Sequence, residues 1–247
     1  FLKRSGAAAV AMSSMGVISG CKNNTHVSTN IDDSLDNSMT YRTNPTTGDK
    51  VSILGYGCMR WPMIKDKEGK DIVDQETVNR LVDHALESGV NFFDSSPVYL
   101  QGQSETATGI ALKRHPRESY FISTKLSNFS NYTRENSIRM YKQSFVNFQT
   151  DYLDYYLLHS VGKSMEDFEN RYIDNGMLDF LLKEREKGRI GHLGFSFHGK
   201  REMFDELLKT HGKYHWDFIQ IQMNYRDWSH AEGNNCNADH MYGELEK

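Results

Sequence analysis

Short apolar runs alternate with longer amphipathic stretches along most of the chain. Most of the runs are apolar over several consecutive residues, as strands covered on both faces are. They lie at 53–59, 90–94, 120–124, 152–158, 192–196 and 218–223. The stretches between them carry apolar residues at helical spacing, and the first is bounded by Asp74 as N-cap and Gly89 as stop. The pattern therefore predicts repeated strand–helix units and a parallel sheet.

Two smaller elements are also predicted near the start of this pattern. A turn-forming stretch at 44–49 lies between two short runs, which indicates an N-terminal hairpin. Residues 104–114 read as a helix with Ser104 as N-cap.

The rhythm fits either a doubly wound open sheet or a closed eight-strand barrel. An open dinucleotide-binding sheet carries GxGxxG between its first strand and a helix. Here the first strand ends in GYG at 55–57, without the third glycine or a following helix. This difference favours the barrel.

The first 40 residues differ in character from the rest. Residues 1–21 place two basic residues before a weakly apolar stretch, the layout of a signal peptide. FLK at 1–3 resembles the end of a twin-arginine motif, and ISGC at 18–21 resembles a lipobox that would lipidate Cys21. Residues 22–40 are polar and read as a disordered linker. Export to the periplasm or the membrane surface is therefore expected; the alternative is a cytoplasmic protein with an N-terminal arm.

Composition excludes several classes of protein. The chain has 247 residues, 38% of them hydrophobic and 25% charged, with a net charge of −4, which is typical of a soluble globular domain. Lys and Arg are scattered among acids, so no nucleic-acid partner is indicated. The three cysteines are Cys21, Cys58 and Cys236, and no CxxC pair is present, so neither a disulfide framework nor a metal site is expected.

Polar residues cluster where the predicted strands end. In a parallel barrel these ends form one rim, and barrel active sites are built there. The residues are Asp94, Lys125, His159, Ser196 and Gln222, with Tyr99 five positions after Asp94.

Five short motifs on this rim resemble those of the aldo-keto reductase family. They are FDSSPVY at 93–99, GQSE at 102–105, STK at 123–125, LLH at 157–159 and GFS at 194–196. The resemblance, which is to the bacterial exported type, implies a (β/α)8 TIM barrel over 41–247. About six of the eight units would be present, in a chain cut at both ends.

The resemblance also implies roles for these residues. Tyr99 would donate a proton to a carbonyl oxygen, and Lys125, held by Asp94, would make the phenol more acidic. His159 would orient the carbonyl. Gly57, Met59, Ser196 and Gln222 would bind the cofactor. The implied protein is an NADPH-dependent reductase of aldehydes and ketones, or the reverse alcohol dehydrogenase.

Several points stay open in the sequence. NADH is an alternative cofactor, and the substrate, beyond a small carbonyl compound, and the oligomeric state are undefined. The family's asparagine after Ser196 is replaced by Phe197. Trp61 lines either the substrate mouth or the packed rim. Cys236 alone cannot hold an iron–sulfur cluster, so the sequence gives no evidence for one, and a cluster would need a segment beyond residue 247.

Two other functions compete with the reductase. The first is a redox sensor that keeps the fold and the cofactor with little turnover, and the complete set of four catalytic residue types argues against it. The second is a barrel glycosidase, which needs two carboxylates at one site. Asp94 is the only clear carboxylate on the predicted rim, so this reading is disfavoured.

Overall fold

The computed structural model describes residues 39–44, 47–222 and 238–245, all within one structural unit. The predicted signal peptide, most of the predicted linker, Cys21 and Cys236 lie outside the described residues. The strands are β1 (Tyr41–Thr43), β2 (Lys50–Ser52), β3 (Tyr56–Gly57), β4 (Met63–Lys65), β5 (Asp71–Val73), β6 (Phe92–Asp94), β7 (Phe121–Leu126), β8 (Leu153–Val161), β9 (Ile190–Phe197) and β10 (Phe218–Ile221).

Helices connect the later strands. They are α1 (Gln75–Glu87), α2 (Gln103–Leu112), α3 (Arg134–Phe148), α4 (Met165–Phe168), α5 (Met177–Glu186), α6 (Arg201–Lys209), α7 (His211–Tyr214) and α8 (Ala238–Leu245). None of the helices in the described ranges is long and apolar enough to cross a membrane.

The main sheet has six parallel strands in the order β3-β6-β7-β8-β9-β10. Each strand pairs with the next strand of the repeat, and the order never reverses. A doubly wound sheet has a switch point at which the order reverses, whereas a barrel is wound in one direction. The strand order therefore supports the predicted barrel, and all six predicted strands belong to this sheet.

Two hairpins precede and interrupt the repeat. The predicted N-terminal hairpin is present, with β1 and β2 antiparallel. Strands β4 and β5 form a second antiparallel hairpin between β3 and α1, which the sequence pattern did not predict.

The first helix is capped as predicted, but the second is not. The carboxylate of Asp74 accepts the backbone N–H of Thr77 at 3.1 Å, and Gly89 follows the helix with a φ of +85°. Helix α2 begins at Gln103 with Gly102 at its N-cap, so the prediction of Ser104 as the cap was wrong. Ser104 is buried within the helix, and its hydroxyl donates to the carbonyl of Cys58 at 2.7 Å.

Side chains at alternate positions of a strand share one face of the sheet. Phe121, Ser123 and Lys125 therefore lie on the same face of β7, as do Tyr155, Leu157 and His159 on β8. Register pairs Ser123 with Tyr155 and Lys125 with Leu157, so this face is built in layers from the amino to the carboxyl ends of the strands. Lys125 and His159 lie on this face toward the carboxyl ends of the two strands.

Candidate active site

A buried ion pair lies at the carboxyl ends of β6 and β7. Lys125 is only 1% exposed, and its Nζ donates to the two carboxylate oxygens of Asp94 at 2.7 and 2.6 Å. A third bond runs from Nζ to the carbonyl of Ser95 at 2.8 Å. These contacts use all three ammonium protons of Lys125. In this arrangement the lysine can act on a neighbouring group only through its charge.

Tyr99 lies beside this pair, and the Lys125 Nζ is 5.2 Å from the centroid of its ring. The loop that follows is tightly wound, since Leu100, Gln101 and Gly102 all have positive φ values of 49°, 56° and 90°. Strained backbone of this kind concentrates at functional sites. The loop fixes the position at which the phenol meets the rim.

The pKa of Tyr99 is raised to about 12, first by burial and then by the negative charge of Asp94. This is the opposite of the lowering by Lys125 that the family resemblance implies. Burial is the main cause, and the carboxylate of Asp94, which lies next to the Lys125 ammonium, adds to it. With a pKa of about 12, Tyr99 is a protonated phenol at neutral pH.

His159 also lies beside Tyr99. The two rings are nearly perpendicular, at 82°, with centroids 5.9 Å apart. Burial, followed by the positive charges of Lys125 and Arg171, lowers the pKa of His159 to about 3. The imidazole is therefore neutral at physiological pH, and it can donate or accept a hydrogen bond without carrying charge.

Arg171 was not identified from the sequence. It is 3% exposed, and its guanidinium donates to the carbonyl of His159 at 2.7 Å and to the carboxylate of Asp167 at 3.2 Å. Ser160, directly after His159, has a φ of +51°. Arg171 thus holds an irregular strand end that carries the histidine. Nothing in the local sequence around 171 indicates this contact, which spans 12 positions of the chain.

Two serines beside His159 were also missed. The hydroxyls of Ser96 and Ser127 are 2.9 Å apart, and both contact the Nδ1 of His159. One signal could have found Ser127, because it lies two positions after Lys125 and two-residue spacing keeps side chains on one side of an extended segment. Ser96 is part of the 93–99 motif itself.

The residues predicted to bind the cofactor lie at the ends of three strands. Ser196 on β9 is buried, and its hydroxyl oxygen accepts the backbone N–H of Ser160 at 2.8 Å. Its own proton has no acceptor among the described residues. Gly57 has open space where a side chain would begin, and Met59 beyond it is half exposed. Gln222 is exposed just past β10.

The neighbours of these residues clarify two open points. Phe197, which replaces the family's asparagine, is buried and packs on Phe204 with ring centroids 5.0 Å apart. Trp61 is 3% exposed, stacks on Tyr56 and donates from Nε1 to the hydroxyl of Thr108 at 2.9 Å. Trp61 is therefore a packing residue of the rim and does not line an opening.

The GQSE motif is structural in this site. Besides its bond to Cys58, the Ser104 hydroxyl contacts that of Ser95 at 2.8 Å. Glu105 is fully buried, and its carboxylate accepts hydrogen bonds from Thr124, Ser144 and Asn147. Burial raises the pKa of Glu105. The motif joins α2 to β7 and α3 and so positions the strand that carries Lys125.

Comparison with known proteins agrees with this arrangement. Residues 54–238 match the model of the aldo/keto reductase family, and the chain belongs to that family. It is 28% identical over 185 residues to a probable aldo-keto reductase 1 of Glycine max, covering 72% of this chain and 49% of the relative. It is 32% identical over 167 residues to an aldo-keto reductase of Mycolicibacterium paratuberculosis, covering 65% and 48%.

The fold is also similar to a solved family member. The aldo-keto reductase AKR11C1 from Bacillus halodurans, in its holo form, superposes with a TM-score of 0.59 at 25% identity, covering 74% of this chain and 57% of that one. The fold is thus confirmed as part of a (β/α)8 barrel. The chain spans about half the length of the curated relatives that it matches.

Proposed function

We propose that the protein is an NADPH-dependent oxidoreductase that reduces aldehydes or ketones to alcohols, with Tyr99 as the general acid. The observation that carries this proposal is the meeting of four side chains from three strand ends and one loop. Tyr99 lies beside both the Lys125–Asp94 pair and the neutral ring of His159.

Tyr99 supplies the proton. Its raised pKa keeps it protonated at neutral pH, so it transfers a proton to the carbonyl oxygen only as negative charge develops there. The charge of Lys125 lies 5.2 Å from the ring and stabilises the phenolate that results. Asp94 holds the lysine in this position.

His159 orients the carbonyl. Its neutral ring offers a nitrogen beside Tyr99, so a carbonyl oxygen between the two receives two hydrogen bonds. Exposed apolar side chains flank this point, since Phe129 is 46% exposed with its ring 5.0 Å from that of His159, and Val98 precedes Tyr99. They favour a substrate with an apolar or aromatic group next to the carbonyl.

The nicotinamide cofactor, when bound, supplies the hydride. The spare proton of Ser196 and the exposed amide of Gln222 fit its carboxamide. The open space beside Gly57 and the flexible thioether side chain of Met59 fit its nicotinamide ring. The preference for NADPH rests on the family resemblance.

Tyr99→Phe tests the proposal because it removes the proton donor and keeps the ring. NADPH oxidation by the full-length protein is followed with a panel of aldehydes and ketones, and cofactor binding is measured by fluorescence. We expect turnover to fall about 100-fold or more, the usual contribution of a positioned acid, with NADPH binding unchanged. Tyr132→Phe, at an exposed tyrosine in another loop, is the control.

Three results would contradict the proposal. Full turnover in Tyr99→Phe would remove Tyr99 as the acid. NADPH binding without turnover in the unaltered protein, across the whole panel, would favour the redox-sensor alternative. If the unaltered protein does not bind NADPH, the barrel fold would stand and the redox function would be refuted.

We also propose export through the N-terminal segment, on the evidence of residues 1–21 alone. The protein should then be found in the periplasm or on the membrane, and Cys21→Ala should release it from the membrane if the cysteine is lipidated. Cell fractionation checks both, and a wholly cytoplasmic protein would contradict export.

A further inference from the structure

The Nδ1 atom of His159 faces two hydroxyl groups. Ser127 Oγ lies 2.5 Å from it and Ser96 Oγ lies 3.3 Å from it. The two hydroxyl oxygens are 2.9 Å apart. Both serines are buried, at 3% and 0% exposure, so their protons must find acceptors within the protein.

A backbone group sets the direction of this small network. The amide of Val98 contacts Ser96 Oγ at 3.4 Å, and an amide N–H can only donate. Ser96 thus accepts from Val98, and its own proton is available for Ser127. Ser127 in turn can donate to His159. In this direction every proton of the network has an acceptor.

The opposite direction fails the same test. If Nδ1 carried a proton and donated to Ser127, then Ser127 would donate to Ser96. The proton of Ser96 would have no acceptor among the described residues, since its remaining contact is the Val98 amide, which is a donor. A buried hydroxyl without an acceptor is costly, so this direction is disfavoured.

We infer that Val98, Ser96 and Ser127 form a one-way hydrogen-bond chain that holds His159 in the tautomer protonated at Nε2, which makes Ser127 a positioning residue. No hydrogen bond to Nε2 is present within the described part of the chain, so that proton remains available to a ligand. The role in carbonyl reduction rests on the proposed function, but the tautomer does not.

The hydrogen-bond chain from Val98 to His159 also connects the two groups that would meet the carbonyl oxygen. It begins at the amide directly before Tyr99 and ends on His159. The backbone N–H of Tyr99 itself is bonded to the carbonyl of Ser96 at 3.1 Å. The loop that places the phenol therefore also sets the proton on the imidazole.

Nitrogen-15 NMR of the full-length protein, labelled on histidine, reads the tautomer directly. His159→Asn identifies the signals by their loss. We expect a neutral ring with an unprotonated Nδ1 and a protonated Nε2. A proton on Nδ1 in the unaltered protein would overturn the inference.

Variants test whether the serines set this state. Ser96→Ala/Ser127→Ala removes both hydroxyl partners, and we expect the His159 signals to move toward a mixture of tautomers. Ser127→Thr alone keeps a hydroxyl at this position and should leave the original signals unchanged. Ser130→Ala, at an exposed serine three positions further on, is the matched control. Unchanged signals in the double variant would overturn the role of the serines.

Kinetics then separates positioning from the proposed function. Ser127→Ala should lower kcat about tenfold, the effect of one lost hydrogen bond in the transition state, while the KM for NADPH stays constant. Ser127→Thr should recover most of the rate. A protein with the expected tautomer but no turnover would refute the proposed function and leave the tautomer standing. If the double variant fails to fold, the tautomer of the unaltered protein still decides.

Discussion

The two ends of the main sheet each hold a carboxylate paired with a basic side chain, but they use it differently. At the carboxyl end Asp94 pairs with Lys125. At the amino end Asp49, in the N-terminal hairpin, accepts from His192 and from the hydroxyl of Tyr155. Beside the first pair, the hydroxyl of Tyr99 and the Nε2 of His159 have no hydrogen bond within the described residues. At the second, the Nε2 of His192 and the hydroxyl of Tyr155 both bind Asp49.

The amino end is closed by aromatic packing. The ring of Tyr155 meets four other rings, with centroids 4.5–5.9 Å apart. They belong to Phe92, Phe121, His192 and Phe218. At the carboxyl end Tyr99 and His159 meet each other, and the Tyr99 hydroxyl has no hydrogen bond within the described residues. The contrast fits the division found in other barrels, in which the amino end serves stability and the carboxyl end carries the active site.

The largest expected effect comes from removing the charge at the carboxyl end. Lys125→Met leaves Asp94 without its partner, which should lower the free energy of unfolding by about 3–5 kcal/mol and abolish turnover. Chemical denaturation and NADPH oxidation measure the two effects.

The double variant Lys125→Met/Asp94→Asn separates these effects. It removes both charges, so we expect much of the stability to return while turnover stays absent. Recovery of turnover together with stability would show that the pair serves only the fold.

A smaller effect is expected at the amino end. Asp49→Ala removes the acceptor shared by His192 and Tyr155, which should cost about 1–3 kcal/mol of unfolding free energy without changing kcat. Asp151→Ala, at an exposed carboxylate near the start of β8, is the control and should cost little. A loss of turnover in Asp49→Ala, at a temperature where it is folded, would break the division between the two ends.

The last effect is a pH dependence from His159, which is smallest near neutral pH and grows only as the solution becomes acidic. Its pKa is about 3 in the folded protein and 6.5 in the unfolded chain. As the pH falls from 6.5 toward 3, only the unfolded chain takes up this proton, so stability decreases by up to about 1.4 kcal/mol per pH unit. In His159→Gln this decrease in stability between pH 6.5 and pH 3 should be absent.

Unfolding measured across that pH range, for the unaltered protein and the variant, tests this sign. His84→Gln, at an exposed histidine on α1, provides the matched control and should keep the slope. Parallel curves for the unaltered protein and His159→Gln would show that burial does not keep His159 neutral.

Local patterns in the sequence determined the strand–helix repeat and the positions of the rim residues. Apolar runs predicted every strand of the main sheet, since such strands need apolar side chains on both faces. Asp94, Lys125 and His159 could be placed together because they follow those strands, and parallel strands end at one edge. The cap at Asp74 was equally local, because its partner is three residues away.

What the tertiary structure alone decided depends on partners distant in the chain. Ser104 reads as a helix cap, but Cys58 and Ser95 approach it and bury it within α2. The clamp of Arg171 on His159 has no local signature. The direction of the Tyr99 pKa was reversed because burial and the position of Asp94 outweigh the lysine. A sequence pattern places residues on a face, whereas desolvation and pairing depend on which atoms the folded chain brings into contact.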